Sequence, residues 1–429
     1  MWAGHNASVK RQENNQPRPP PQYTCSLPKR LSTPPSQSLT VSFDASPHLV
    51  RFETKPIPQC PVSVKNGGFL VLALLCKSDK LVGTYSFNLG RRPNLQHAAA
   101  RLSDIKELLQ GNIQRNMSSF QISKTPSSIL IFGATGKIGL HLTEWILKAS
   151  PRFSRVSIFT SPSTVAAKAE LLSKWETAGA SIIIGDLTNP QDIADAYRGV
   201  DTVVSAVGRN VIQKQIQLIR LAEESSSVQW FFPSEYGTDV EHGPKSASER
   251  PHQDKLAVRK FIRDEVRRLH VVYLVTGPFF DMWAKFLHDQ NRKEVQIIGD
   301  GEGKIGFCTM PDVGKFLVAA LQNPPALTPK ALRVQSFITT PNRVLEEFQK
   351  QTQTKWNVTP APLVEFRAME EKMWERKDPI ATPMTLLRIW AEGGTLYDRN
   401  DNELLGLEAK DLDSMEVAVE RVLTVPVKL

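Results

Sequence analysis

Residues 128–139 read SILIFGATGKIG, and LHLTEWILKA follows with a helical period. A short apolar run, three glycines at 133, 136 and 139, and then a helix can satisfy few local structures. The first glycine permits a tight turn, and the second lets main chain approach a ligand without a Cβ in the way. The third lets helix and strand pack closely. The helix start leaves N–H groups free and a partial positive charge, which suits a pyrophosphate. The spacing GxxGxxG therefore reads as the phosphate turn of a dinucleotide-binding unit, provided that strand–helix units follow it.

They do follow. RVSIFT (155–160), SIIIGD (181–186), DTVVSAVG (201–208), VQWFFPSEYG (228–237) and VVYLVTGPFF (271–280) read as buried strands. Between them the spacing predicts a helix from SPST to about Trp175, then helices over 190–199, 211–225 and the HQDKLAVRKFIRDEV stretch. Strands alternating with helices of this length specify an α/β fold, a Rossmann-type doubly wound parallel sheet, over 117–280. Residues 295–321 suggest a hairpin and a helix. The Pro-punctuated remainder of 281–429 then forms a smaller C-terminal substrate lobe over the cofactor cleft.

Residues 1–116 have a different character. They carry 12 of the 30 prolines and show no sustained period, so they read as a mostly disordered extension. Met117 opens MSSFQISKTPSS, a polar lead of the kind that begins a compact protein of this architecture. The upstream piece is then either a mis-assigned start or a processed extension. The net charge of +9 lies wholly there, with 15 Lys/Arg against 6 Asp/Glu; the rest of the chain balances. A neutral globular part with no groove-reading motif argues against nucleic acid as a partner. Three of the four cysteines, Cys25, Cys60 and Cys76, also lie in the extension. Cys308 alone remains, which fits a reducing, cytoplasmic setting without disulfides or a metal cluster. The longest apolar run, FLVLALLC (69–76), is too short to span a membrane.

The nucleotide choice rests on the end of the second strand. An NAD enzyme usually places a carboxylate there for the ribose 2′-hydroxyl. Here the sequence is FTSPST, with no acid before Glu170. Thr160, Ser161 and Lys168 instead offer partners for a 2′-phosphate, so NADPH is expected in preference to NADH. Lys168 reads more readily as a solvated helix lysine than as such a contact. Asp186 reads either as an adenine-edge contact or as a helix cap.

None of the six tyrosines is followed four residues later by lysine, so the usual Tyr-x-x-x-Lys dyad of short-chain dehydrogenases is excluded. No GxSxG or HExxH occurs. GATGKIG, SAVG (205–208), FFPSEYG (231–237) and DKLAVR (254–259) occur in order. Together they resemble the isoflavone reductase-like branch of the NmrA-like atypical short-chain dehydrogenase/reductase family, particularly its fungal members. The resemblance covers about 128–321 well and the C-terminal third loosely.

It implies an NADPH-dependent oxidoreductase acting on an aromatic or polyketide-like small molecule of secondary metabolism. Lys255 would be the catalytic general acid or base, with Arg259 one turn later. Gly133, Thr135, Gly136, Lys137, Ile138 and Gly139 would hold the phosphates. Ser205, Ala206, Val207 and Gly208 would line the nicotinamide ribose, with Pro233, Ser234 and Glu235 near the ring. Phe279, Phe280, Met282 and Trp283, after the sixth strand, either stack on the substrate or pack between lobes. The arginine that plant members often carry after the second strand is absent. A second class stays open: an NmrA-like NADP(H)-sensing regulatory protein without turnover, a class that typically lacks the lysine.

Overall fold

The computed structural model describes residues 36–43, 50–57, 69–75, 81–88 and 125–425, apart from 326, 327 and 329. The chain divides into two compact units, Met1–Gln121 and Ile122–Leu429. Within the first, β1 (Ser36–Phe43) pairs antiparallel with β2 (Val50–Ile57), and β3 (Phe69–Leu75) pairs antiparallel with β4 (Leu81–Asn88). The expectation of an extension without a sustained strand period did not anticipate these hairpins. The rest of 1–116, and the lead from Met117 as far as 124, lie outside the described residues.

The second unit is built on seven parallel strands: β5 (Ser128–Phe132), β6 (Arg155–Thr160), β7 (Ala180–Ile184), β8 (Thr202–Ser205), β9 (Trp230–Phe232), β10 (His270–Val275) and β14 (Lys330–Arg333). Their order is β14-β10-β9-β8-β5-β6-β7. The chain runs outward from β5 to β7, then returns to β8 on the other side. This is the doubly wound Rossmann order, with the switch point between β5 and β8.

Period-two alternation decides which side chain faces which layer. Ile129 and Ile131 of β5 face α1 (Lys137–Lys148) and α9 (Met310–Gln322), meeting Leu142, Ile146, Phe316 and Leu317. Leu130 and Phe132 face the opposite layer. There they join Ile193 of α4 (Pro190–Ala196), Leu218 and Ile219 of α5 (Gln215–Glu224), and Val258 and Ile262 of α7 (Gln253–Glu265). Each such side chain contributes about 1.5–3 kcal/mol on burial.

Three expectations are corrected here. The helix after β6 breaks at Lys168 into α2 (Pro162–Ala167) and α3 (Ala169–Thr177), because Lys168 takes φ −132°. The stretch 295–321 contains no hairpin. β12 (Glu294–Ile298) pairs with β11 (His288–Asp289) and β16 (Asn357–Ala361), whereas β13 (Ile305–Phe307) pairs with β15 (Phe337–Thr339). The C-terminal part is also not one contiguous lobe, since α9 and β14 return to the main sheet. What remains is α8 (Phe280–Leu287), α10 (Pro341–Thr352), α11 (Leu363–Glu375), α12 (Ala381–Ala391) and α13 (Met415–Thr424). These elements share a separate core around Phe280, Phe307, Phe348, Trp356 and Phe366. Short α6 (Gly243–Ser248) precedes α7. Among the described residues, no helix is long and apolar enough to cross a membrane.

Candidate active site

The phosphate turn sits at the switch point. Gly133 takes φ +73°, and a Cβ there would lie 2.5 Å from the carbonyl oxygen of Ala206 at the end of β8. A Cβ on Gly139 would collide with the carbonyl oxygens of Gly133 and Ala134. Both glycines are thus demanded by packing, apart from any ligand. Gly136 differs: it is exposed, has φ −73°, and serves as N-cap of α1 with no side-chain cap. Ser161, Asn189, Thr309, Thr340 and Ser414 cap their own helices with side-chain oxygens. The first turn of α1, which holds no acid, receives none. Thr135 is half-buried and Lys137 exposed, whereas the Ile138 side chain packs toward the core.

At the end of β6, Thr160 is buried. Ser161 Oγ accepts the Thr164 N–H at 3.2 Å, and Lys168 is exposed. Asp186 does not cap the helix, a role that falls to Asn189; one of its carboxylate oxygens accepts both the N–H and the hydroxyl of Thr188, at 2.7 and 2.8 Å, within the loop before it. Those bonds hold its pKa below the ordinary value. At the end of β8, the Ser205 hydroxyl is buried without a partner, Val207 is buried and Gly208 is exposed. Val207 is tied to the next loop, because Ser234 Oγ donates to its carbonyl at 2.9 Å. The Gln215 side chain accepts the Ser234 N–H at 2.7 Å.

Pro233, Ser234 and Glu235 form the buried strand end against which α7 lies. Lys255 Nζ donates to the Glu235 main-chain oxygen at 2.6 Å. The Glu235 carboxylate accepts Arg259 Nε and Nη2, both at 3.0 Å. Arg259 Nη1 also donates to Asp239 at 2.9 Å, and its guanidinium lies 4.5 Å from the Tyr273 ring centre. Burial opposes the charge on Arg259, but the two carboxylates more than offset it and raise its pKa. Lys255 has no carboxylate of its own. Burial, with repulsion from Arg209 and Arg259, outweighs the attraction of Glu235 and brings its pKa down to about 8.

Lys255 borders a cavity of about 450 Å³. Phe279, Met282, Trp283 and Phe286 wall one side, and Leu386, Leu387 and Trp390 of α12 another. Of the expected substrate residues, Phe279 and Trp283 line it and Phe280 does not. Phe280 is fully enclosed against Phe307 and Phe337, because the first turn of α8 points it into the second core. Several lining residues went unnoticed in the sequence: Arg209, Tyr236, Thr238, His252 and Trp390. His252 had a readable signal, standing one turn before Lys255. Its Nδ1 lies 2.7 Å from the Ser246 carbonyl, so the proton sits there and Nε2 is the acceptor. Burial depresses its pKa, favouring the neutral ring. Among the described residues, no group of three or more His, Cys, Asp or Glu is placed to hold a metal.

A doubly wound parallel sheet with a glycine turn at its switch point defines the Rossmann class. The chain belongs to the NmrA-like family, which matches over residues 125–379. Within that family it is isoflavone reductase-like. It is 31% identical over 239 residues to an isoflavone reductase of Cicer arietinum, covering 52% of this chain and 74% of that enzyme. It is 32% identical over 209 residues to the phenylcoumaran benzylic ether reductase PT1 of Pinus taeda, covering 47% and 67%. In fold it is similar to the leucoanthocyanidin reductase–NADPH binary complex of Vitis vinifera. The TM-score there is 0.60 at 21% identity, covering 69% of this chain and 99% of that one.

Proposed function

We propose that the protein is an NADPH-dependent reductase of an aromatic or polyketide-like small molecule of secondary metabolism, with Lys255 as its general acid or base. The observation that carries this reading is the Lys255 ammonium. It is buried, depressed to about pKa 8, and held at one edge of an apolar cavity at the carboxyl ends of the strands. A lysine in the ordinary range would be a poorer donor near neutral pH.

The residues present fit a dinucleotide. The α1 first turn offers N–H groups without a side-chain cap, Gly136 leaves main chain accessible, and the Ser205 hydroxyl lacks a partner. Thr135, Gly136, Lys137 and the main chain of Ile138 and Gly139 would hold the pyrophosphate. Ser205, Val207 and Gly208 would meet the nicotinamide ribose, with Pro233, Ser234 and Glu235 beneath the ring. Thr160, Ser161 and Lys168 would face a 2′-phosphate. NADPH supplies a hydride when bound. Lys255 neutralises the oxyanion left on the substrate, or protonates it. Phe279 and Trp283 orient the aromatic body, and the apolar wall excludes water.

Thermal shift of wild type and Lys255→Ala with NADPH, NADH, NADP+ and NAD+ tests the reading. NADPH-selective stabilisation is expected in both, with turnover lost only in the variant. No stabilisation by any nucleotide overturns it.

A further inference from the structure

Among the described residues, the cavity wall contains no Asp or Glu. The acids around it are engaged elsewhere. Glu235 and Asp239 hold Arg259, Glu249 holds Arg388 at 2.7 Å, and Asp254 accepts the Gln213 amide at 2.7 Å. Two cations remain on the wall. Lys255 has only a main-chain carbonyl. Arg209 forms no ion pair among the described residues, and its one hydrogen bond runs to the Pro251 carbonyl at 3.2 Å. They stand close enough that the charge on Arg209 opposes the charge on Lys255. Two further lining residues carry unpartnered buried polar atoms, Tyr236 Oη and His252 Nε2. Glu235 attracts Lys255 and Asp254 attracts Arg209 from outside the wall, but neither carboxylate pairs with them. Two cations without an ion pair, on the wall of an aromatic and aliphatic pocket, favour an anion. A neutral ring would leave their repulsion standing.

We infer that the substrate is an aromatic acid, its ring against Phe279, Trp283 and Trp390 and its ionised carboxylate at Arg209. This rests on reading the cavity as the substrate site of the reductase. Arg209 is then the residue that selects charged over neutral substrates. His252 Nε2 accepts from a hydroxyl on the same molecule.

Isothermal titration of the full chain, with and without NADP+, tests this using 4-hydroxycinnamate and its methyl ester as probes. The acid is expected to bind roughly tenfold or more tightly than the ester, the scale of one charge-assisted hydrogen bond. Arg209→Gln is expected to erase that preference by weakening the acid alone, and Arg209→Lys to keep part of it. Absence of acid binding overturns the inference, as does an ester bound equally well or an unchanged preference in Arg209→Gln. NADPH thermal shift is read in the same proteins. If NADPH stabilisation falls in Arg209→Gln while the acid preference stays, Arg209 serves the cofactor and the inference is overturned. If NADPH stabilises neither protein but the acid preference appears, the inference about the cavity is supported and the reductase reading falls.

Discussion

Lys255 and Glu235 meet through main chain: the ammonium donates to the Glu235 carbonyl oxygen at 2.6 Å, while the Glu235 carboxylate is wholly occupied by Arg259. The lysine is positioned without an ion pair, and the attraction of the Glu235 carboxylate falls short of the cost of burial. Its charge is held in place and left costly, which is the condition of a group that trades protons near neutral pH.

The first consequence is a pH dependence. In the direction of reduction Lys255 must carry its proton, and with a pKa of about 8 it loses that proton as the pH rises through that value. A profile of kcat/KM against pH should be level below about pH 7 and fall above about pH 8. A limb retained in Lys255→Ala would assign the titration to another group.

Stability should move the opposite way. The folded lysine titrates near 8 and the unfolded one near about 10.4, so between these values the unfolded state binds more protons. The penalty for burying the charge is complete below about pH 8 and fades as the pH rises toward the unfolded value. Lys255→Met should therefore stabilise the fold by about 1–2 kcal/mol at pH 7, after the loss of one hydrogen bond. Denaturant midpoints of the two proteins should converge near pH 10.

Arg259 is a different matter, because the buried Glu235 carboxylate depends on it; Asp239 keeps Arg333 at 2.9 Å. Arg259→Ala should cost about 3–5 kcal/mol, the penalty for stranding buried charge. Arg259→Lys should recover little, since an ammonium cannot reproduce the two-pronged contact with Glu235. Urea unfolding monitored by tryptophan fluorescence would measure both.

Two of the turn glycines, Gly139 and Gly136, should separate by phenotype. Gly139→Ala drives a methyl group into the Gly133 carbonyl and should lose about 2–3 kcal/mol of stability. At Gly136 a Cβ would lie 3.2 Å from the Gly133 oxygen, on an exposed residue with ordinary φ. Gly136→Ala should fold with stability changed by less than about 1 kcal/mol. Its NADPH affinity should fall tenfold or more, read by titration of nicotinamide fluorescence.

The central strands were legible because a parallel sheet buried on both faces leaves near-continuous apolar runs such as SILIF and RVSIF. β14 was not, since KALR carries two charged residues and lies at the sheet edge. The supposed hairpin failed for a related reason. GDGEGK reads as a tight turn, but the strands flanking it find partners far along the chain, which local pattern cannot encode. At the site, the turn glycines and Lys255 could be named from sequence. The burial of Phe280, and the absence of acids among the described residues of the cavity wall, depend on which elements converge at the cavity.

The placement of β14 also sets an order on chain synthesis. β10 is complete at Val275, but its outer neighbour is not made until Lys330–Arg333 has been translated. A nascent chain that has emerged only as far as the end of α9 shows an unpaired β10 edge, a template for another strand. The long gap before β14 is thus an interval of exposure during translation, and a stop codon placed within it would yield a protein prone to associate with copies of itself.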